Sequence, residues 1–295
     1  MKSLRHLTLG LAAVLSAAAL TAVETGRFEE IRRLVAPEAR QGVTADAQFL
    51  YAIGNHALGK YRKDTGGKVA GWECPEGQPL THVNAAIVHG GQLYGAHSNY
   101  PGVPHRSSIE IWDLATLTHL RSVDLGETDG SLTWIDRRDG RWLACFVHYG
   151  QRGGVPGRGP EQTRLVELDD EWREVRRWKF PPEVLAQIAQ RGYSFSGGAI
   201  GPDGNLYVTG HDEPQLYVLK FDDASQTLAW IATIPVPAEG QAFSWDPVER
   251  GVVHLILKRK REIITGRVQL PWPPREVRPN ASGSTAATTP AIRQP

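Results

Sequence analysis

The 295-residue chain is poor in three things, and each shortage narrows what it can do. Cysteine occurs only twice, as Cys74 and Cys145. The two fall in different repeats of the pattern described below, so both are expected to be unpaired, one of them buried in a strand. An excess of one charge is also missing: 33 Lys and Arg against 32 Asp and Glu leave a formal net charge of +1. That excludes the strongly basic footprint of a nucleic-acid or anionic-membrane binder. Long apolar runs are absent beyond the first 22 residues. There, Lys2 and Arg5 precede an apolar run from Leu7 to Leu20, with Ala17, Ala19 and Ala22 offering cleavage positions. This is the pattern of a secretory signal peptide over 1–22 rather than of a membrane span. The protein is therefore expected to be secreted or periplasmic, with no stable membrane insertion after cleavage, and the lack of a nearby cysteine points away from a lipoprotein. Two reactive motifs are missing as well: "GVPGRGP" has no GK[ST], and Ser194 and Ser196 lie outside any G-x-S-x-G elbow.

Glycine (31), proline (20) and tryptophan (9) are plentiful, as in a chain with many turns and an aromatic-rich β core. Apolar runs ending near Asp recur as "GKYRKD", "SSIEIWD", "TRLVELDD" and "QLYVLKFDD", each followed by a second strand-like run. Before each comes another hairpin, as in "NAAIVHGGQLYGAH", "SLTWIDRRDGRWLACFVH" and "GGAIGPDGNLYVTGH", with Gly91, Gly140 and Gly204 in the turns. "GQAFSWDPVERGVVHLILK" opens a fifth copy. Four-strand units repeating every roughly 40–50 residues are the signature of a β-propeller. The expected fold is all-β: a five-bladed propeller of four-stranded antiparallel blades over 23–276, followed by a disordered tail over 277–295. A β-sandwich and a six-bladed ring with one degenerate repeat are the rival readings. The fifth repeat lacks an outer strand, which the N-terminal "RFEEIRRLV" is expected to supply, since propellers leave no open sheet edge. One long gap holds the loop "GQRGGVPGRGP" and a short helical insertion, "PPEVLAQIAQRG", with Pro at its start and Gly192 at its end.

In such a blade the second strand ends beside the start of the first. Strand ends then carry His56, His97, His148 with Tyr149, and His211 with Asp212; strand starts carry His82 with Asn84, Asp129 with Ser131, Ser196, and Glu239 with Gln241. A ring of imidazoles points to a metal site, because neutral imidazole is the commonest protein metal ligand. His97, His148 and His211 are expected to hold a divalent Zn, Mn or Fe ion, although His211 has the opposite alternation along its strand. "LKRKRE", at 257–262, reads as a solvated strand end.

The stretches "HVNAAIVHGGQLYGAHSNYPG", "SSIEIWD", "SGGAIGPDGNLYVTGHDEPQLYVL" and "AEGQAFSWDP" together resemble a group of secreted bacterial β-propeller proteins of poorly defined function, some labelled cycloisomerase-like. The likeness spans roughly residues 40 to 265, and it implies the propeller fold without an established reaction. The expected function is a metal-dependent lyase or hydrolase acting on a sugar-derived acid or glycan. His82, Tyr149 or Glu239 would move the proton, and Asn84, Asn99, Asp129, Ser131, Ser196, Asp212 and Gln241 would contact the substrate. The alternative is a propeller that binds a glycan or peptide without turnover.

Overall fold

Period-two alternation becomes strand structure along nearly the whole of residues 24–269, which the computed structural model describes. The expected signal peptide and tail lie outside the described residues. Two strands come first, β1 (Glu24–Thr25) and β2 (Arg27–Val35). The first sheet follows as β3 (Gly42–Ala45), β4 (Phe49–Ile53), β5 (Ala57–Arg62) and β6 (Lys68–Glu73). The second is β7 (Val83–His89), β8 (Gln92–Ser98), β9 (Arg106–Asp113) and β10 (His119–Glu127). The third is β11 (Ser131–Arg138), β12 (Arg141–Val147), β13 (Arg164–Leu168) and β14 (Glu174–Lys179). After helix α1 (Pro182–Ile188), the fourth is β15 (Gly197–Ile200), β16 (Leu206–Thr209), β17 (Gln215–Asp222) and β18 (Thr227–Pro235). The fifth is β19 (Ser244–Trp245), β20 (Val252–Leu257) and β21 (Glu262–Gln269).

Within each group the neighbours are antiparallel and in sequence order. The fifth group is completed by β2, which pairs along β21 from Arg27↔Gln269 to Val35↔Glu262, as the unpaired edge of the repeat had suggested. The third and fourth groups join into one larger sheet through a single parallel bridge, Lys179↔Thr227, between their outer strands. β1 pairs in parallel with β18, so the N-terminal segment passes from the outer edge of the fourth sheet to that of the fifth.

Apolar clusters fill the gaps between consecutive sheets. Tyr51, Ile53 and Leu58 of the first meet Val83, Leu93 and Trp112 of the second, and Val43 and Leu50 meet Ile256 and Ile263 of the fifth. Tyr207, Leu216 and Val218 of the fourth face Val253 and Leu255, while the largest cluster, around Trp134 and Trp178, joins the second, third and fourth. First strands touch in order: β3 with β7, β7 with β11, β11 with β15, β15 with β19, and β19 with β3. Close packing at one of these gaps requires a glycine, since a Cβ on Gly95 would sit 2.7 Å from the Trp112 ring.

Beside its apolar cluster, the seam between first and fifth sheets carries a polar network. Lys63 Nζ lies 2.6 Å from Asp246 Oδ2, His254 Nε2 is 2.9 Å from the same oxygen, and His254 Nδ1 is 2.9 Å from Thr265 Oγ1. The Arg32 guanidinium donates to the Lys63 carbonyl across the same seam. The helical insertion is α1 plus one 3-10 turn, Ala189–Arg191, closed by Gly192 at φ +72° in the left-handed region. Cys74 and Cys145 are unpaired, the latter buried in β12. Among the described residues no helix is long and apolar enough to cross a membrane.

Candidate functional site

Because the first two strands of each sheet run antiparallel, the end of the second lies opposite the start of the first: Val83↔His97, Ser131↔Val147 and Gly197↔Thr209. Residues just outside these pairs converge on a cavity of about 160 Å³. From the strand starts come Gln41, His82, Asn84, Thr133, Ser196 and Gln241; from the strand ends come Tyr149, His211 and Lys258; Tyr100, Tyr193, Ser194 and Phe195 complete the wall from loops. Asn84 is fixed by donating to Leu132 O at 2.8 Å and Ser98 Oγ at 3.0 Å, which ties the second sheet to the third. Gln241 sits at φ +70° while its carbonyl accepts the Thr209 hydroxyl at 2.7 Å, and the Gln41 amide donates to Asn55 Oδ1.

Rings line much of this wall. His82 and Tyr100 have centroids 5.0 Å apart, Tyr100 and Tyr149 4.9 Å, and Tyr193 stacks on His211 at 3.9 Å and 14°. Burial, reinforced by the charges of His97 and Arg40, pushes the His82 imidazole down to about 4. Burial also lowers His211, against the pull of Asp212, whose Oδ1 is 2.9 Å from His211 Nδ1. The Tyr149 phenol is driven up by burial, so it stays a neutral donor. Burial lowers Lys258 too, with Arg40 adding to the effect and Asp212 opposing it.

The remaining expected site residues lie elsewhere, for physical reasons. Adjacent residues of an extended chain face opposite ways. Tyr149 therefore turns into the central cavity, whereas His148 turns into a separate cavity of about 690 Å³ with His105, Asp129 and Arg158. There His148 Nε2 lies 3.2 Å from Asp129 Oδ1, and Arg164 and Arg158 reach the same carboxylate at 2.5 and 3.3 Å. His97 shares a face of β8 with Leu93 and Gly95; its Nδ1 is 2.9 Å from Ser108 Oγ, which donates at 2.5 Å to the buried Glu110. The three histidines expected to share a divalent ion thus point to three different places and do not fit one. Among the described residues, no group of three His, Cys, Asp or Glu is placed to hold a metal. Glu239 is paired with Arg259 and is not part of the cavity wall. Asn99 shapes its own loop, donating to Pro104 O and accepting from Arg106 N. Asp212 backs His211, and Ser131 is buried beside Tyr149.

No family model and no curated protein matches this sequence. A solved structure of a protein of unknown function from Bacteroides caccae is similar to it with a TM-score of 0.41 and 10% sequence identity, over 71% of this chain and 65% of that one. The chain thus spans a little under two thirds of that protein's length.

Lys258 was not legible as a site residue, because "LKRKRE" reads as solvated charge. Yet it holds the same strand-end position in the fifth sheet that Tyr149 and His211 hold near the ends of theirs, and Gln41 is the matching strand-start residue of the first. Chemically the cavity offers amide, hydroxyl and phenol hydrogen bonds, two neutral imidazoles and one ammonium, with no Asp or Glu in its wall.

Proposed function

We propose that the five four-stranded groups are the blades of a five-bladed propeller, and that its axial cavity binds a small polar ligand of single-sugar size in a protein exported from the cytoplasm. The observation that carries this reading is convergence: side chains from all five sheets meet around one cavity of about 160 Å³. The order of contacts between first strands, which returns from β19 to β3, supports the ring. Aromatic rings beside amides and hydroxyls suit a ligand with an apolar ring face and polar edges, and the small volume favours one sugar unit or the end of a chain. No nucleic acid or membrane partner is part of this reading. Export would be tested by N-terminal sequencing, with a start near Val23 expected and Met1 on the cytoplasmic protein overturning it.

Binding would be tested by thermal shift against a panel of monosaccharides and their acids. At least one should raise the melting temperature of the wild type, and Tyr193→Ala, which removes the ring stacked on His211, should lose about tenfold or more in affinity. A panel without any effect, or an unaffected Tyr193→Ala, would sink the reading. Turnover as a lyase or hydrolase is the second reading, favoured by one observation: His82 is a neutral imidazole beside the phenol of Tyr100. His82→Asn should then abolish product formation while leaving binding intact; because the three histidines diverge, no step is routed through a metal.

A further inference from the structure

Lys258 is the one lysine in the cavity wall, which holds no arginine, aspartate or glutamate. Among the described residues no carboxylate comes within the 4.0 Å of an ion pair with it. The carboxylate that influences it most, Asp212, already meets His211 Nδ1 at 2.9 Å and Arg191 at 3.5 Å. A half-buried ammonium without a counter-charge is a costly arrangement. Arg40, close enough to depress both His82 and Lys258, adds to the positive potential. The donors around it, the phenols of Tyr100, Tyr149 and Tyr193 and the amides of Gln41 and Gln241, can all give hydrogen bonds to oxygen.

We infer that the ligand of this cavity is an anion, a monocarboxylate of sugar size, and that Lys258 is its anchor. This rests on the central-cavity reading and deepens it. A single lysine is a compact point charge with three donors, matched to one carboxylate; a dianionic phosphate is more commonly met by arginine forks or rows of backbone N–H groups. The sugar ring then lies against the tyrosines, and its hydroxyls meet the amides and imidazoles.

The experiment compares matched pairs, glucose with glucuronate and galactose with galacturonate, by thermal shift and calorimetry on the wild type, Lys258→Met and Lys258→Arg. The expected result is that at least one acid binds, that its neutral partner binds at least about tenfold more weakly, that Lys258→Met loses roughly 30-fold or more for the acid, and that Lys258→Arg keeps the preference for acid over neutral sugar. Equal binding of acid and neutral sugar, or acid binding undiminished in Lys258→Met, overturns the anion assignment and leaves the cavity reading standing. Failure of every sugar and acid to bind the wild type overturns both. The melting temperature of each variant without ligand separates lost binding from lost folding.

Discussion

At the scale of single residues, the cavity is a place where burial keeps imidazoles and phenols neutral. His82 shows the consequence most directly. Its folded value of about 4 lies below the ordinary 6.5, so between those limits the unfolded chain takes up a proton that the folded one refuses. Stability is therefore undiminished above about pH 6.5, falls as pH drops through that window, and levels off below about pH 4 as far as this group is concerned. His97, His148, His211 and His254 are shifted in the same direction, again chiefly by burial, and share the slope. His82→Gln should flatten the urea-derived stability profile by up to about 1.4 kcal/mol per pH unit within the window; an unchanged slope would show that His82 does not remain neutral in the folded protein. Which residues meet at the cavity was partly legible. Strand starts and ends are visible as alternation bounded by turns, so His82, Asn84, Tyr149, Ser196, His211 and Gln241 could be placed there. Which way each side chain turns was not legible, because one residue of phase decides between faces, as for His148 and Tyr149. Tyr100 and Tyr193 come from loops, where no periodicity marks a direction.

The strands themselves were the most legible elements, with "SSIEIWD", "QLYVLKFDD" and "RFEEIRRLV" becoming β9, β17 and β2. Shorter ones were not: β3 is the four residues "GVTA" and β19 only Ser244–Trp245, each too brief to show an alternation and held by the strands beside it. Packing between sheets depends on details as small as a missing methyl group. In Gly95→Ala the new Cβ would stand 2.7 Å from the Trp112 ring, which is itself fully buried and touches Trp72 and His119. The ring has little room to retreat, so the substitution should cost about 1–3 kcal/mol, seen as a lower urea midpoint at constant m-value. A midpoint equal to the wild type would mean that the gap between the first two sheets is looser than its geometry indicates.

For the whole molecule the decisive contacts are those where the first and fifth sheets meet, since they join parts of the chain far apart in sequence. Burial would raise the Asp246 carboxyl, but hydrogen bonds from His254 and Lys63 overcome this and hold it well below the usual carboxylate range. A depressed acid contributes fully above its unfolded value, near 3.8, and its contribution is lost as pH falls below that. Asp246→Asn should destabilise the protein by about 3 kcal/mol at neutral pH, because Lys63 is left without its charge partner, and the deficit relative to wild type should shrink below about pH 4. A deficit that stays constant down to pH 2 would contradict the assignment. The pairing of β2 with β21 has a different consequence. Arg27 and Gln269 are directly opposed, so the start of β2 and the end of β21 are neighbours on adjacent strands. The order in which the sheets are threaded is therefore not fixed by where the backbone happens to be cut. A circular permutant that links residues 27 and 269 through a short bridge, and opens the exposed turn at Glu76–Gly77 instead, would turn the strand pairing that now fastens the N-terminal segment into an ordinary hairpin.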